Sequence, residues 1–239
     1  MKKLIEGTSK LGIELNTTQV EQFELYYHEL MEWNKKFNLT AITDYEQVQT
    51  EHFIDSITVT LALTREEMSK PDFNILDIGT GAGFPGVPLK ILLGKPSLVL
   101  LDSTAKKAVF LRHIIQELGL NDVEVLVGRA EEIAHLPLYR EQFDLVVSRA
   151  VASLPTLVEL ALPFCQIGGK FVAQKKGEIR LELSKAGKAI DVLGGKLEKV
   201  KKIELEGLLD ERYLLIIGKI YPTAEKYPRR LGVPKRRPI

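Results

Sequence analysis

The sequence predicts an α/β fold: a doubly wound, mainly parallel sheet of seven strands with an antiparallel last strand, preceded by a helical extension. Three observations predict it. From Phe73 onward, short apolar runs alternate with helical stretches and short links. Runs such as Leu98-Val99-Leu100-Leu101 are apolar without alternation, as strands covered on both faces must be. A glycine-rich turn, Gly79-Thr80-Gly81-Ala82-Gly83, falls between the first such run and the first helix after it.

Taken in order, residues 1–70 read as helical. The pattern Thr18-Gln19-Val20-Glu21 is a capping box, and Val20, Phe23, Tyr27, Leu30 and Met31 follow at helical spacing, to an end near Asn34-Lys35-Lys36. A second box at Thr43-Asp44-Tyr45-Glu46 opens a helix through His52, and Glu66–Asp72 reads as a link. Residues 71–221 form the sheet domain. Its strands are expected at Asn74–Ile78, Leu98–Asp102, Val123–Val127, Phe143–Val147 and Lys170–Gln174. Helices are expected at Gly86–Leu93, Ala105–Leu118, Leu154–Cys165 and Ile179–Leu193, the second stopped by Gly119. Leu197–Leu205 and Arg212–Ile220 are joined by Glu206–Glu211, too short for a covering helix, so they pair antiparallel. Residues 222–239 form a basic tail.

Composition bounds the function. The 239 residues are 45% hydrophobic and 27% charged, with 33 Lys+Arg against 32 Asp+Glu. That is a globular composition, not a fibrous or disordered one, and no apolar run is long enough to span a membrane. The first residues lack the apolar core of a secretory signal. A single cysteine, Cys165, suits a reducing cytoplasm and reads as a core residue. The near-zero net charge hides an asymmetry: residues 226–239, KYPRRLGVPKRRPI, hold six basic residues and no acidic one. Such a tail points to a polyanion bound at one place.

The glycine loop carries the chemistry. In open α/β sheets, ligands sit at the carboxyl ends of strands near the reversal of strand order. Glycines there allow left-handed angles and close ligand approach. Gly81-Ala82-Gly83-Phe84-Pro85-Gly86 fits the dinucleotide pattern, which makes an NAD-linked oxidoreductase one reading. The wider pattern Asp77-x-Gly79-x-Gly81-x-Gly83 suits a phosphate-free adenosyl ligand better, because a carboxylate is awkward beside a pyrophosphate. S-adenosylmethionine is such a ligand. Asp102, 19 residues after Gly83, suits ribose hydroxyls of either cofactor. Ser103 and Thr104 read as ligand contacts or helix caps, and Ala130-Glu131 as an adenine border or a helix start. Arg149, at the end of the fourth strand, needs a partner: a ligand carboxylate, an RNA phosphate, Asp77, or a structural ion pair. His28, His52, His113 and His135 lack metal-ligand spacing, so no metal is expected.

Four segments together resemble a known family: Phe37-Asn38-Leu39-Thr40-Ala41-Ile42, His52-Phe53-Ile54-Asp55-Ser56, Asp77 through Gly86, and Ser148-Arg149-Ala150-Val151-Ala152. The chain is similar over about residues 20–220 to the bacterial 16S ribosomal RNA guanine-N7 methyltransferases, also called glucose-inhibited division protein B. The resemblance implies a class I methyltransferase fold of Rossmann-like type, S-adenosylmethionine as donor, and N7 of a guanine in the small ribosomal subunit as acceptor. It implies Gly79 and Phe84 at the cofactor, Asp102, Ser103 and Thr104 at the ribose, Ala130 and Glu131 at the adenine, and Arg149 beside the transfer zone. Gly81 joins them from the loop pattern. Arg229, Arg230, Lys235, Arg236 and Arg237 are expected to meet RNA phosphates, helped by Lys35 and Lys36. Asn38 reads either as a contact to the target base or as a turn residue. Transfer to N7 needs no general base, so no catalytic acid–base residue is expected. The expected protein is a cytoplasmic monomer. A non-catalytic RNA-binding regulator is the other alternative.

Overall fold

A computed structural model describes residues 1–205 and 210–239. Seven strands form one sheet, in order β3-β2-β1-β4-β5-β7-β6. They are β1 (Asn74–Ile78), β2 (Ser97–Asp102), β3 (Val123–Val127), β4 (Phe143–Arg149), β5 (Cys165–Lys176), β6 (Gly195–Ile203) and β7 (Arg212–Lys219). The first five are parallel, and β7 runs antiparallel to both β5 and β6. Strand order reverses between β1 and β4, which opens a crevice above their carboxyl ends. The expected antiparallel pair is present, but β7 inserts between β5 and β6. Of its link, residues 206–209 lie outside the described residues.

Each face of the sheet carries its own core. On one face α1 (Lys2–Lys10) and α2 (Thr17–Phe37) pack with residues 45–62, α4 (Gly86–Leu93) and α5 (Ala105–Glu117). Phe23, Tyr26, Leu30 and Phe53 from the first seventy residues are fully buried with Leu100, Phe110 and Val147. The helical extension thus shares one core with the sheet. Between it and β1, Arg65–Ser69 is a short helix, α3, capped by Thr64 and Glu67 where a link was expected. The other face is covered by α6 (Ala130–Ile133), α7 (Leu154–Ala161) and α8 (Arg180–Val192), which bury Leu157, Ala161 and Ile190 against Val146, Phe171 and Leu215.

Three local expectations change. The cap of α2 is Asn16, which bonds reciprocally with Gln19, so the box lies two residues earlier than Thr18–Glu21. The helix ends at Phe37, where Asn38 takes a left-handed conformation with φ 49°. The helix after Asp44 is irregular: Tyr45–Gln47 is α-helical, Val48–Ile54 is wound as a π-helix, and Thr58–Ala62 as a 3₁₀ turn. Cys165 is not helical. Helix α7 stops at Ala161, and Cys165 opens β5, fully buried, its thiol pushed up to about 12 by burial. It is inert core.

The basic tail is folded against the body. Val233–Arg236 forms α9, and Pro234 is buried. Arg140 donates to the carbonyls of Thr223 (2.7 Å) and Tyr227 (2.9 Å). Arg229 grips Glu159, which is fully buried on α7, with Nε to Oε1 at 2.8 Å and Nη2 to Oε2 at 2.6 Å. A bidentate pair of this kind anchors the segment.

Candidate active site at the sheet reversal

The glycine loop follows β1 directly. Gly79, Gly81 and Gly83 all have positive φ (68°, 63° and 101°), which explains their spacing. At Gly83 a Cβ would also lie 2.6 Å from the Tyr26 hydroxyl, so two constraints select glycine there. The Tyr26 hydroxyl donates to the Ala82 carbonyl at 2.6 Å, tying the loop to α2.

Two carboxylates hold the loop. Asp77 is fully buried. Its Oδ2 accepts from the Thr80 hydroxyl (2.6 Å) and from the Gly86 N–H (2.8 Å) at the start of α4, while Oδ1 has no hydrogen-bond partner. Burial raises its carboxyl to about 6, against the two hydrogen bonds. Asp102, at the end of β2, accepts from the Gly81 N–H (3.0 Å) and the Thr104 N–H (2.8 Å), and Lys107 lies 3.4 Å away. Thr104 is the first flanking residue of α5, but its side chain makes no cap. Ser103 and Thr104 stay exposed beside the loop.

The Asp77–Gly86 bond decides between ligand types. A pyrophosphate binds free N–H groups and the positive end of a helix. Here a buried carboxylate already occupies the first N–H of α4. The loop instead leaves Gly81 open, with no atom within 3.4 Å of a Cβ placed there. This fits an adenosyl group without phosphates.

Phe84 faces inward. Its ring stacks on His52 (centroids 4.6 Å) and Tyr26 (5.3 Å), with the Arg149 guanidinium carbon 5.0 Å from its centre. Arg149 is not paired with Asp77. Its guanidinium donates to Asp55 Oδ2 (3.1 Å), the Glu51 carbonyl (3.0 Å) and His52 Nδ1 (3.3 Å). Arg212 completes a buried network with Glu51 and with Asp55, the latter at 3.3 Å. Ala130 is buried at the start of α6, and Glu131 accepts from the Gly232 N–H of the tail at 3.1 Å. Gly79, Gly81, Phe84, Asp102, Ser103 and Thr104 thus gather at the crevice with Arg149. Glu131 reaches the tail instead. Arg229 is spent on Glu159, whereas Arg230, Lys235, Arg236 and Arg237 are exposed. Asn38 is exposed at its turn, and Lys35 pairs with Glu32.

Sequence reasoning missed Glu51, Asp55, Gln174, Glu182 and Arg212, which with Arg149 line a second cavity at the carboxyl ends of β4 and β5. They come from four distant stretches, so no local pattern groups them. The available signals were the segments His52–Ser56, which carries His52 and Asp55, and Ser148–Ala152, which carries Arg149.

His52 is held neutral. Burial lowers its pKa from 6.5 to about 3, helped by Arg149. Between those values the unfolded chain binds a proton that the folded chain refuses, so acid removes stability. Asp77 acts oppositely: folded, it takes its proton near 6, and unfolded near 3.8, so acid adds stability across that window. His52→Gln removes only the first effect. The wild-type minus variant difference in unfolding free energy should therefore fall by about 1.4 kcal/mol per pH unit from 6.5 toward 3. Denaturant titrations across pH measure it, and a flat difference contradicts a neutral buried His52.

Comparison with known proteins agrees with this geometry. A family model described as GidB, rRNA small subunit methyltransferase G, matches residues 19–212. The chain belongs to this family. A ribosomal RNA small subunit methyltransferase G from Dehalococcoides mccartyi is 50% identical over 239 residues, 100% of both chains. One of the same name from Alkaliphilus metalliredigens is 45% identical over 99% of this chain and 97% of its own. In fold the family member resembles a solved SAM-dependent methyltransferase from Aquifex aeolicus, with TM-score 0.55 and 17% identity over 80% of this chain and 98% of that one. The sheet is that of the class I methyltransferases. Among the described residues, no helix is long and apolar enough to cross a membrane.

Proposed function

We propose that the protein methylates N7 of a guanine in 16S ribosomal RNA with S-adenosylmethionine as donor, acting as a cytoplasmic monomer without a metal ion. The observation that carries the donor is the Asp77–Gly86 bond, which fills the place a pyrophosphate needs, beside the open position at Gly81. Family membership carries the RNA substrate. Gly79, Gly81 and Phe84 form the loop wall, Asp102, Ser103 and Thr104 face the ribose, and Ala130 borders the adenine, with Glu131 beside it tying the docked tail to that border.

S-adenosylmethionine supplies an electrophilic methyl group on a sulfonium. The guanine N7 lone pair forms the new C–N bond as the S–C bond breaks. Positive charge passes from sulfur to the purine, and no proton moves. The protein's contribution is therefore alignment and exclusion of water. Arg149, locked onto Asp55 and Glu51, is a rigid anchor for the wall beside the transfer zone rather than an acid.

Arg230, Lys235, Arg236 and Arg237 contact RNA phosphates from the docked tail, with Asn38 toward the target base. Replacing these four cations by Ala should weaken RNA binding and flatten its log–log salt dependence by about 2–4, near one unit per lost phosphate contact. Filter binding from low to high salt reads both, and an unchanged slope removes the tail from the interface. Calorimetry tests the donor: S-adenosylhomocysteine should bind and NAD should not. Binding of NAD alone would favour the oxidoreductase reading.

A further inference from the structure

The second cavity, about 470 Å³, has the size of a small-ligand site. It shares a wall with the glycine loop, because Val151 lines it and packs where a Cβ on Gly79 would stand. Two unusual backbone features converge on it. Ala150 is left-handed at φ 57°, and the π-wound turn supplies Glu51 and His52. Strain gathered at one cavity marks a functional wall. Most of its charges are consumed internally: Arg149 and Arg212 answer Asp55 and Glu51.

Glu182 differs. It sits in the first turn of α8, and its Oε2 accepts from the Leu154 N–H (2.9 Å) and from Lys175 Nζ (2.8 Å). Those two donors fix the carboxylate in place. Its Oε1 meets no donor among the described residues, and the side chain is 36% exposed. The result is an oriented acceptor on the β5 side of the cavity, opposite the glycine loop on the β1 side.

We infer that this cavity seats the target guanine and that Glu182 reads its Watson–Crick edge. Guanine carries N1–H and N2–H₂ donors there, which a carboxylate accepts. Adenine presents an acceptor at N1 and is repelled. N7 lies on the other side of the ring, so a base held by Glu182 turns N7 toward the loop. The carboxylate also favours a purine that becomes positive on methylation. The inference rests on the guanine-N7 reading and adds the residue that selects the base.

The test uses wild type and Glu182→Gln on 16S ribosomal RNA carrying guanosine or inosine at the nucleotide that wild type methylates. Inosine lacks the N2 amine. On guanosine, Glu182→Gln should lower kcat/KM about 10- to 100-fold, while S-adenosylhomocysteine affinity stays within about twofold of wild type. Wild type should lose rate on inosine, and the variant should show no such penalty. A merely structural Glu182 would leave the guanosine-to-inosine ratio the same in both proteins, and that result overturns the inference alone. Equal kcat/KM for both proteins on guanosine also overturns it. If wild type transfers no methyl group to any guanine, the parent reading falls and takes this one with it.

Discussion

Asp102→Ala is expected to weaken S-adenosylhomocysteine binding about 100-fold or more. The carboxylate does two jobs. It receives the Gly81 and Thr104 N–H groups, which sets the loop against the start of α5, and it stands at the end of β2 where a ribose would lie. Hydrogen bonds to a charged group contribute roughly 1.5–3 kcal/mol each, so losing two accounts for the size of the effect. Asp102→Asn should be milder, because one amide oxygen can still accept from Gly81. Calorimetry ranks the three proteins, and a fully active Asp102→Ala would remove the β2 end from the cofactor site.

Arg149→Met should destabilise the fold by about 3 kcal/mol or more, the usual cost of stranding a buried charge. Asp55 is buried between Arg149 and Arg212. Burial raises its pKa, and the two guanidinium groups pull it back down. Without Arg149, only one of them remains. At this chain length the loss corresponds to a drop of about 6–12 °C in Tm. Asp55→Asn in the same chain should restore part of it, because the stranded charge is gone. Calorimetric scans of the single and double variants measure the coupling. Equal Tm for Arg149→Met and wild type would show that the pair carries no stability.

These effects trace how far a sequence can be read. Strands at the centre of the sheet were legible from short apolar runs such as Leu98–Leu101 and Leu145–Val147 ended by turn signals, whereas β6 is interrupted by Lys196, Glu198, Lys199, Lys201 and Lys202. β1 and β3 match their expected bounds, and β2 differs by one residue. The glycine loop was legible because left-handed backbone leaves few alternatives to glycine. Cys165 was misplaced because Leu160–Cys165 is an unbroken apolar run, so periodicity did not mark where α7 gives way to β5. The π-wound turn at Val48–Ile54 has no sequence period of its own, so its inward display of Glu51 and His52 was invisible. The tail misled in another way. A run of cations reads as a set of RNA-phosphate contacts, yet Arg229 finds its carboxylate 70 residues away on a buried helix face. The Asp77 carboxylate reads from the sequence as awkward for a pyrophosphate, but only the fold shows that it occupies the N–H that a pyrophosphate would need.

The proposed reaction holds an adenosyl sulfonium at the glycine loop and aims it at a purine nitrogen in ribosomal RNA. Its most direct measurement incubates the protein with isotope-labelled S-adenosylmethionine and 16S ribosomal RNA made without this modification, then maps the label by mass spectrometry of nuclease fragments. Label is expected at a single guanosine, recovered as 7-methylguanosine. Label on another base or ring position, or none with a protein that still binds S-adenosylhomocysteine, would contradict it.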